Sequence, residues 1–259
     1  MGIFFLICSI ILFFYLCSKS IPVVTPKETQ EELNNALNNK REAFNLRITG
    51  GFKKATEDLY PKYVFIDFET SDLPYDYSLP KKITLQYYPH AVQVAAIIFN
   101  ENGEQIDEYA SIIKPPDECI ISRGSIQIHR ITKEKAEAQG VCIDVFLQFI
   151  SKYLRPETIL VAHNVQFDYL MLRVEAMRFN IKFPAIQKFC TMKGTTHYCG
   201  IYKSYGRGYK WPKLSELVDH TFFNGQNIRN VMNYHDADSD VKYTAHCFFE
   251  LKNKNYISV

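Results

Sequence analysis

The segment Tyr63–Thr70, YVFIDFET, constrains this chain more than any other. It is short and apolar enough for a strand through a core, yet it ends in two acids one residue apart. Side chains two apart on a strand share a face, so Asp67 and Glu69 point the same way at its C-terminal end. That edge is where open α/β sheets place ligands. Two adjacent like charges repel, and one is driven to protonate unless a cation sits between them. A hard divalent ion such as Mg²⁺ prefers these carboxylate oxygens. A solvated strand end with two ordinary acids is the competing reading, and this motif alone does not separate them.

The surrounding pattern supplies an architecture. Ala91–Asn100 (AVQVAAIIFN) and Gln105–Lys114 (QIDEYASIIK) read as strands, and the Asn-Gly between them signals a tight hairpin. Val141–Leu154 has helical spacing at Val145, Phe146, Phe149 and Ile150. Thr158–Ala162 is a short apolar strand, Phe167–Phe179 a helix, and Lys188–Met192 a fifth short strand. Leu214–His220 and Asp238–Lys254 read as closing helices. A hairpin followed by alternating helices and strands predicts an α/β fold, a mixed sheet with helices on both faces. The 259 residues suffice for one full core with appendages.

The appendages are N-terminal. Within residues 1–18, Ile3–Cys17 (IFFLICSIILFFYLC) carries no charge. That is short for a span of about 20 residues, though flanking residues can extend it. Ser18-Lys19-Ser20 offers a small-x-small cleavage site, so a signal peptide stays open, but no basic residue precedes the apolar run. Lys19 and Lys27 follow it, which as a membrane anchor would keep the body of the protein in the cytoplasm. The seven cysteines form no CxxC pair and no N-x-S/T sequon occurs, which also fits a reducing compartment. Residues 19–60 read as a polar spacer: Pro22 and Pro26 break the first segment, and an exposed helix then runs to Gly50-Gly51. Residues 61–259 form the α/β domain.

Two further stretches carry acids in telling company. In LVAHNVQFDYLML, Asp168 enters a helix just after a strand end bearing His163 and Asn164. In NYHDADSDVKYTAHCFFEL, His235 precedes a helix with Asp236, Asp238 and Asp240 near its start, and one of these acids can serve only as an N-cap. Between Ala176 and Ser215 there is no acid; Lys193, Lys203, Arg207, Lys210 and Lys213 interleave with Tyr198, Tyr202, Tyr205, Tyr209 and Trp211. Cations for phosphates and rings for stacking suit a single nucleic-acid strand, and a basic loop balancing an acidic site is the plainer alternative.

The three stretches together resemble the motifs of the DEDDh (DnaQ-like) 3′→5′ exonucleases of the RNase H-like superfamily. DxET corresponds to Asp67-Phe68-Glu69-Thr70, HNxxFD to His163–Asp168, and HxAxxD to His235–Asp240. PHAVQVA, IHRIT and FCTMKGTT also match, and the resemblance runs from about Tyr63 to Leu251. Where family members often read ETTGL, this chain has Glu69-Thr70-Ser71-Asp72-Leu73, and Pro74–Pro89 resembles an insertion of some bacterial and phage members.

The resemblance implies an RNase H-like five-stranded sheet and metal-dependent 3′→5′ hydrolysis of nucleic acid, DNA before RNA because the first motif lacks the EMTGL form of oligoribonucleases. It implies two Mg²⁺ or Mn²⁺ ions about 4 Å apart on Asp67, Glu69, Asp168 and Asp240, with His235 taking the proton of the nucleophilic water. Thr70 and Leu73 would meet the terminal nucleotide, and His163, Asn164 and Phe167 would shape its pocket. A non-catalytic nucleic-acid-binding or membrane-tethering module on the same fold is the alternative.

Overall fold

The first strand, β1 (Tyr63–Thr70), is the middle of a sheet. It is joined by β2 (Ala91–Phe99), β3 (Gln105–Ile112), β4 (Ile159–Ala162) and β5 (Gln187–Cys190) in the order β3-β2-β1-β4-β5. β2 pairs antiparallel with β1 and β3, whereas β4 runs parallel to β1 and β5 parallel to β4. The mixed sheet expected from the sequence is therefore present. The computed structural model describes residues 26–78, 82–225 and 234–259, so the apolar segment 3–17 lies outside the described residues. Among the described residues no helix is long and apolar enough to cross a membrane.

The helices are α1 (Pro26–Thr49), α2 (Arg123–His129), α3 (Lys133–Gln139), α4 (Ile143–Ser151), α5 (Val165–Arg178), the single turns α6 (Thr191–Gly194) and α7 (Thr196–Cys199), then α8 (Leu214–Phe222) and α9 (Ala237–Asn253). A 3₁₀ segment covers Lys82–Tyr87. The chain divides into two units, Met1–Ala43 and Phe44–Val259, and the larger carries everything below. Two aromatic residues within 19–60 pack against the larger unit's core. Phe44 is buried against Phe222, Phe223 and Tyr243, and Phe52 packs on Phe99 and His246.

Alternation along β1 sorts its residues onto two layers. Val64, Ile66 and Phe68 join the core formed with Phe146 and Ile150 of α4 and Met171 and Leu172 of α5. Tyr63 and Phe65 pack against Phe248 and Phe249 of α9. Asp67 and Glu69 continue that second row and so face the α9 side of the sheet.

Two of the boundaries that differ from expectation have a direct physical cause. Val141 pairs in a bridge with Ile113, so α4 starts only at Ile143. The fifth strand stops at Cys190, because Thr191 opens α6 and its hydroxyl contacts the Ala162 carbonyl. The Pro74–Pro89 segment is held to α5 by Arg178, which donates to the carbonyls of Leu85, Tyr88 and Pro89. Arg178 is itself paired with the buried Glu175 at 2.7 Å, and Glu175 accepts the Ala91 N–H.

Candidate active site

Three elements deliver four acids to the C-terminal end of β1. β4 pairs with β1 only over Tyr63–Phe65, so the far end of β1 has no strand on that side. Asp168, in the first turn of α5, takes the vacant position: its carboxylate accepts the Phe68 N–H at 3.1 Å. On the other side the β1–β2 register shifts between Glu69 and Thr70, a bulge of the kind that re-aims side chains next to sites. Asp240, in the first turn of α9, closes the group, and its Oδ2 accepts the N–H of His235 at 3.1 Å.

The four carboxylates cost stability where they stand. Asp168 is 2% exposed and Asp240 8%. Burial and then the charges of Asp168, Asp240 and Glu69 push Asp67 well above the usual carboxylate range. Burial and then Asp240 and Asp236 push Glu69 up to about 8. Burial also raises Asp168 strongly, against the relief given by the Phe68 N–H, and takes Asp240 to about 7. A cation is the chemical complement of this set. The donor atoms of Glu69, His235 and Asp240 lie within 4.8 Å of one another, and Asp240 Oδ1 is buried with no hydrogen-bond partner. An oxygen-rich, partly orphaned cluster of this kind fits a hard divalent ion.

Asp236 is the acid that serves as an N-cap. It accepts from the N–H and hydroxyl of Ser239 and from the side chain of Gln93, whose oxygen in turn accepts the Ala237 N–H. Gln93 stands opposite Glu69 in the ladder and so ties the start of α9 to the sheet. His235 sits before the helix at φ 67°, exposed at the mouth of the acidic group. Partial desolvation and then the Lys213 ammonium hold its ring below its ordinary pKa.

A cavity of about 460 Å³ adjoins the acids, lined by Glu69, Thr70, Leu73, Asn164, Phe167 and His235 among others. Four of the five residues expected to meet substrate are thus together. Leu73 is 73% exposed at the cavity lip, on a turn braced by the Asp72 carboxylate, which accepts the Leu73 N–H at 2.8 Å. The backbone at Asp72 stays out of the left-handed region, so no glycine is required there. His163 stands apart from this lining. Its ring bonds the Thr191 hydroxyl at 3.0 Å and the Pro212 carbonyl at 3.1 Å, and burial lowers its pKa to about 4.

Further residues reach the cavity without a role expected from the sequence. Buried His129, within IHRIT, accepts the Ile131 N–H at Nδ1, which leaves Nε2–H to donate to the Thr70 carbonyl at 3.2 Å. Tyr77, Ser122, Ser125 and Ile128 also line the cavity. No periodic or charge signal marks them; proximity comes from α2 folding under the Ser71 turn, where the Ser122 N–H reaches the Ser71 carbonyl. The basic stretch divides. Arg178 and Lys210 are spent on Glu175 and Glu216. Tyr202, Tyr205 and Trp211 are exposed, the first two on a hairpin closed by the Tyr202–Tyr209 bridge.

Residues 64–248 match the family model described as Exonuclease (RNase_T). The DNA polymerase III PolC-type of Thermotoga petrophila is 32% identical over 130 residues, 50% of this chain and 8% of that protein. Its Thermotoga maritima counterpart is 32% identical over 112 residues, 43% of this chain and 7% of that one. The chain therefore spans under a tenth of these relatives. E. coli Exonuclease I in complex with a dA16 oligonucleotide shares the fold, with TM-score 0.54 and 22% identity over 74% of this chain and 40% of that one. The zinc-bound form of its single-stranded DNA complex gives TM-score 0.56 and 22% identity over 75% and 41%.

Proposed function

The chain belongs to the exonuclease family, of the DEDD type in the RNase H-like superfamily, and from that premise we propose that it hydrolyses phosphodiester bonds of nucleic acid from the 3′ end. The convergence of Asp67, Glu69, Asp168 and Asp240 from β1, α5 and α9 carries the reading. DNA is the favoured substrate, as the names of the relatives are DNA polymerases. Two Mg²⁺ or Mn²⁺ ions held by these acids would supply a hydroxide nucleophile and neutralise charge developing on the phosphate.

The remaining roles belong to the chain's own groups. His235, kept neutral by its surroundings, accepts the proton of the attacking water and passes it to solvent at the open mouth. Asp240 fixes the backbone of His235 through the N–H it accepts, and so places the imidazole. Phe167 and Leu73 offer apolar surface to the terminal base, and Thr70, pinned by His129 and Asp72, shapes the floor. The exposed rings of Tyr202, Tyr205 and Trp211 with Lys203 and Arg207 offer stacking and charge to a single strand. Ile3–Cys17 tethers this domain to a membrane with its body in the cytoplasm, which resistance of the full chain to a carbonate wash would test.

The test of the main reading is a cleavage ladder. The full chain in detergent is given 5′-labelled single-stranded DNA or RNA with Mg²⁺ or Mn²⁺, beside Asp67→Ala. A descending ladder from the 3′ end, lost in the variant, is the expected result. Binding without cleavage under either metal would overturn the nuclease and favour a binding module.

A further inference from the structure

Among the described residues, six non-glycine positions have positive φ: Arg130, Asn164, Asn180, Asn224, His235 and Asn255. Four are asparagine, the residue that tolerates this region best. The other two, Arg130 at φ 62° and His235 at φ 67°, line one and the same cavity of about 900 Å³. Arginine, unlike asparagine and histidine, is not enriched in this region, and backbone strain of this kind concentrates at working sites. Arg130 occupies the left-handed C-cap of α2, a place usually given to glycine, and its own N–H closes the helix on the Ile126 carbonyl.

This second cavity meets the first at Ile128, His129 and His235, and Asp240 opens into it. The two have different chemistry. The first is lined by Leu73, Phe167 and Tyr77. The second carries Arg130, Lys135 and Lys213. Arg130 and Lys213 are exposed, and none of the three is ion-paired with a carboxylate among the described residues. Both lysines are close enough to act on the histidines that bound the cavity: Lys213 depresses His235, and Lys135 depresses His129. Lys213 is fixed by its backbone N–H, which donates to Glu216 at 2.8 Å. Unpaired cations beside an acidic cluster gain by holding an anion there.

We infer that Arg130, Lys135 and Lys213 form a phosphate-binding groove for the part of the strand that remains after each cut. This rests on the exonuclease reading. A bond broken at the acids leaves one nucleotide on one side and the retained strand on the other. The apolar cavity suits the departing base, and the basic cavity suits consecutive phosphates of the retained strand. Arg130 is the anchor, held in its strained turn next to His129, one of the residues where the two cavities meet.

Binding and cleavage separate the two claims. Affinity of the full chain for a 5′-labelled single-stranded dT12 is measured by fluorescence anisotropy, with Ca²⁺ in place of Mg²⁺, across a salt series. For single strands the slope of log K against log salt is about −0.7 per phosphate contact, so one lost contact costs about fivefold at 0.1 M salt. Arg130→Gly is expected to bind about fivefold more weakly, with a slope shallower by about 0.7 and a melting temperature equal to or above wild type. Arg130→Lys should recover most of the affinity, and Lys213→Gln should lose a similar amount on an element remote in sequence. Wild-type affinity and slope in Arg130→Gly and Lys213→Gln overturn the groove. A ladder retained together with that result leaves the nuclease reading standing alone; binding with the expected slopes but no ladder does the reverse.

Discussion

Asp240→Asn isolates what the acidic cluster costs the fold. Burial, and then the charge of Asp236 against the relief of the His235 N–H, move the folded pKa of Asp240 from 3.8 to about 7. The native state therefore holds this proton more tightly than the unfolded chain does. By linkage, the associated stability is fully present below about pH 4 and is lost as pH rises through 7. Acting alone, a change of this size is worth about 4 kcal/mol at about 1.4 kcal/mol per pH unit. Protons are shared within the cluster, which takes the expected effect to about 2 kcal/mol. Asparagine keeps an oxygen for the His235 N–H and removes the charge. In EDTA at pH 8 the variant should melt about 4–8 °C above wild type, for a domain of this size. At pH 4 the two should coincide. Saturating Mn²⁺ should raise wild type and close or reverse the gap. Scanning calorimetry at both pH values reads all three quantities. A variant no more stable than wild type in EDTA at pH 8 would refute the claim that burial of the Asp240 charge costs the fold stability.

Two other perturbations test the supports around the acids. Gln93→Ala removes bonds to Asp236 and to the Ala237 N–H, and should destabilise by about 1–3 kcal/mol while slowing cleavage, checked by urea unfolding and by kcat. His163→Gln breaks the ties to Thr191 and Pro212; it should lower the melting temperature while leaving KM for an oligonucleotide within about twofold, and a KM rise without loss of stability would return His163 to the substrate pocket.

The acids themselves were legible because strand alternation is strict. Asp67 and Glu69 had to share a face, and the same period that buried Tyr63 and Phe65 under α9 placed them there. Asp168 and Asp240 were legible by motif spacing, and the N-cap among the three acids of HDADSD proved to be Asp236, which the helix start alone could not single out. His163 shows the limit. It adjoins Asn164 in sequence, but its ring is claimed by Thr191 and by the carbonyl of Pro212, 49 residues on. Only the fold brings Pro212 there. His129 was hidden in the same way, since it reaches the site through a short helix whose packing no local period encodes. Val141, apolar and in phase with the helix after it, was lost to a strand bridge because Ile113 offered it a backbone partner.

The backbone at His235 gives an independent argument for its chemical role. Both helices that deliver an acid start from a left-handed residue: Asn164 at φ 85° caps α5, and His235 at φ 67° precedes the cap of α9. Asparagine adopts this conformation readily; histidine does so at a cost on the order of 1–3 kcal/mol. The ring of His235 offers a ligand atom within 4.8 Å of those of Glu69 and Asp240, and its backbone N–H is the part that bonds Asp240. An asparagine would supply that N–H equally well and with less strain, so structure alone does not call for an imidazole. The proton-accepting role does. His235→Asn should hold or raise the melting temperature by about 2–4 °C and lower kcat by about 10²–10⁴-fold. The loss should be smallest at high pH, where hydroxide replaces the missing base. With metal saturating, so that the acids stay ionised, the acidic limb of the wild-type rate profile should lie below the ordinary imidazole range, as the ring's lowered pKa requires. A variant that loses stability in proportion to activity would mean that His235 shapes the start of α9 and nothing more.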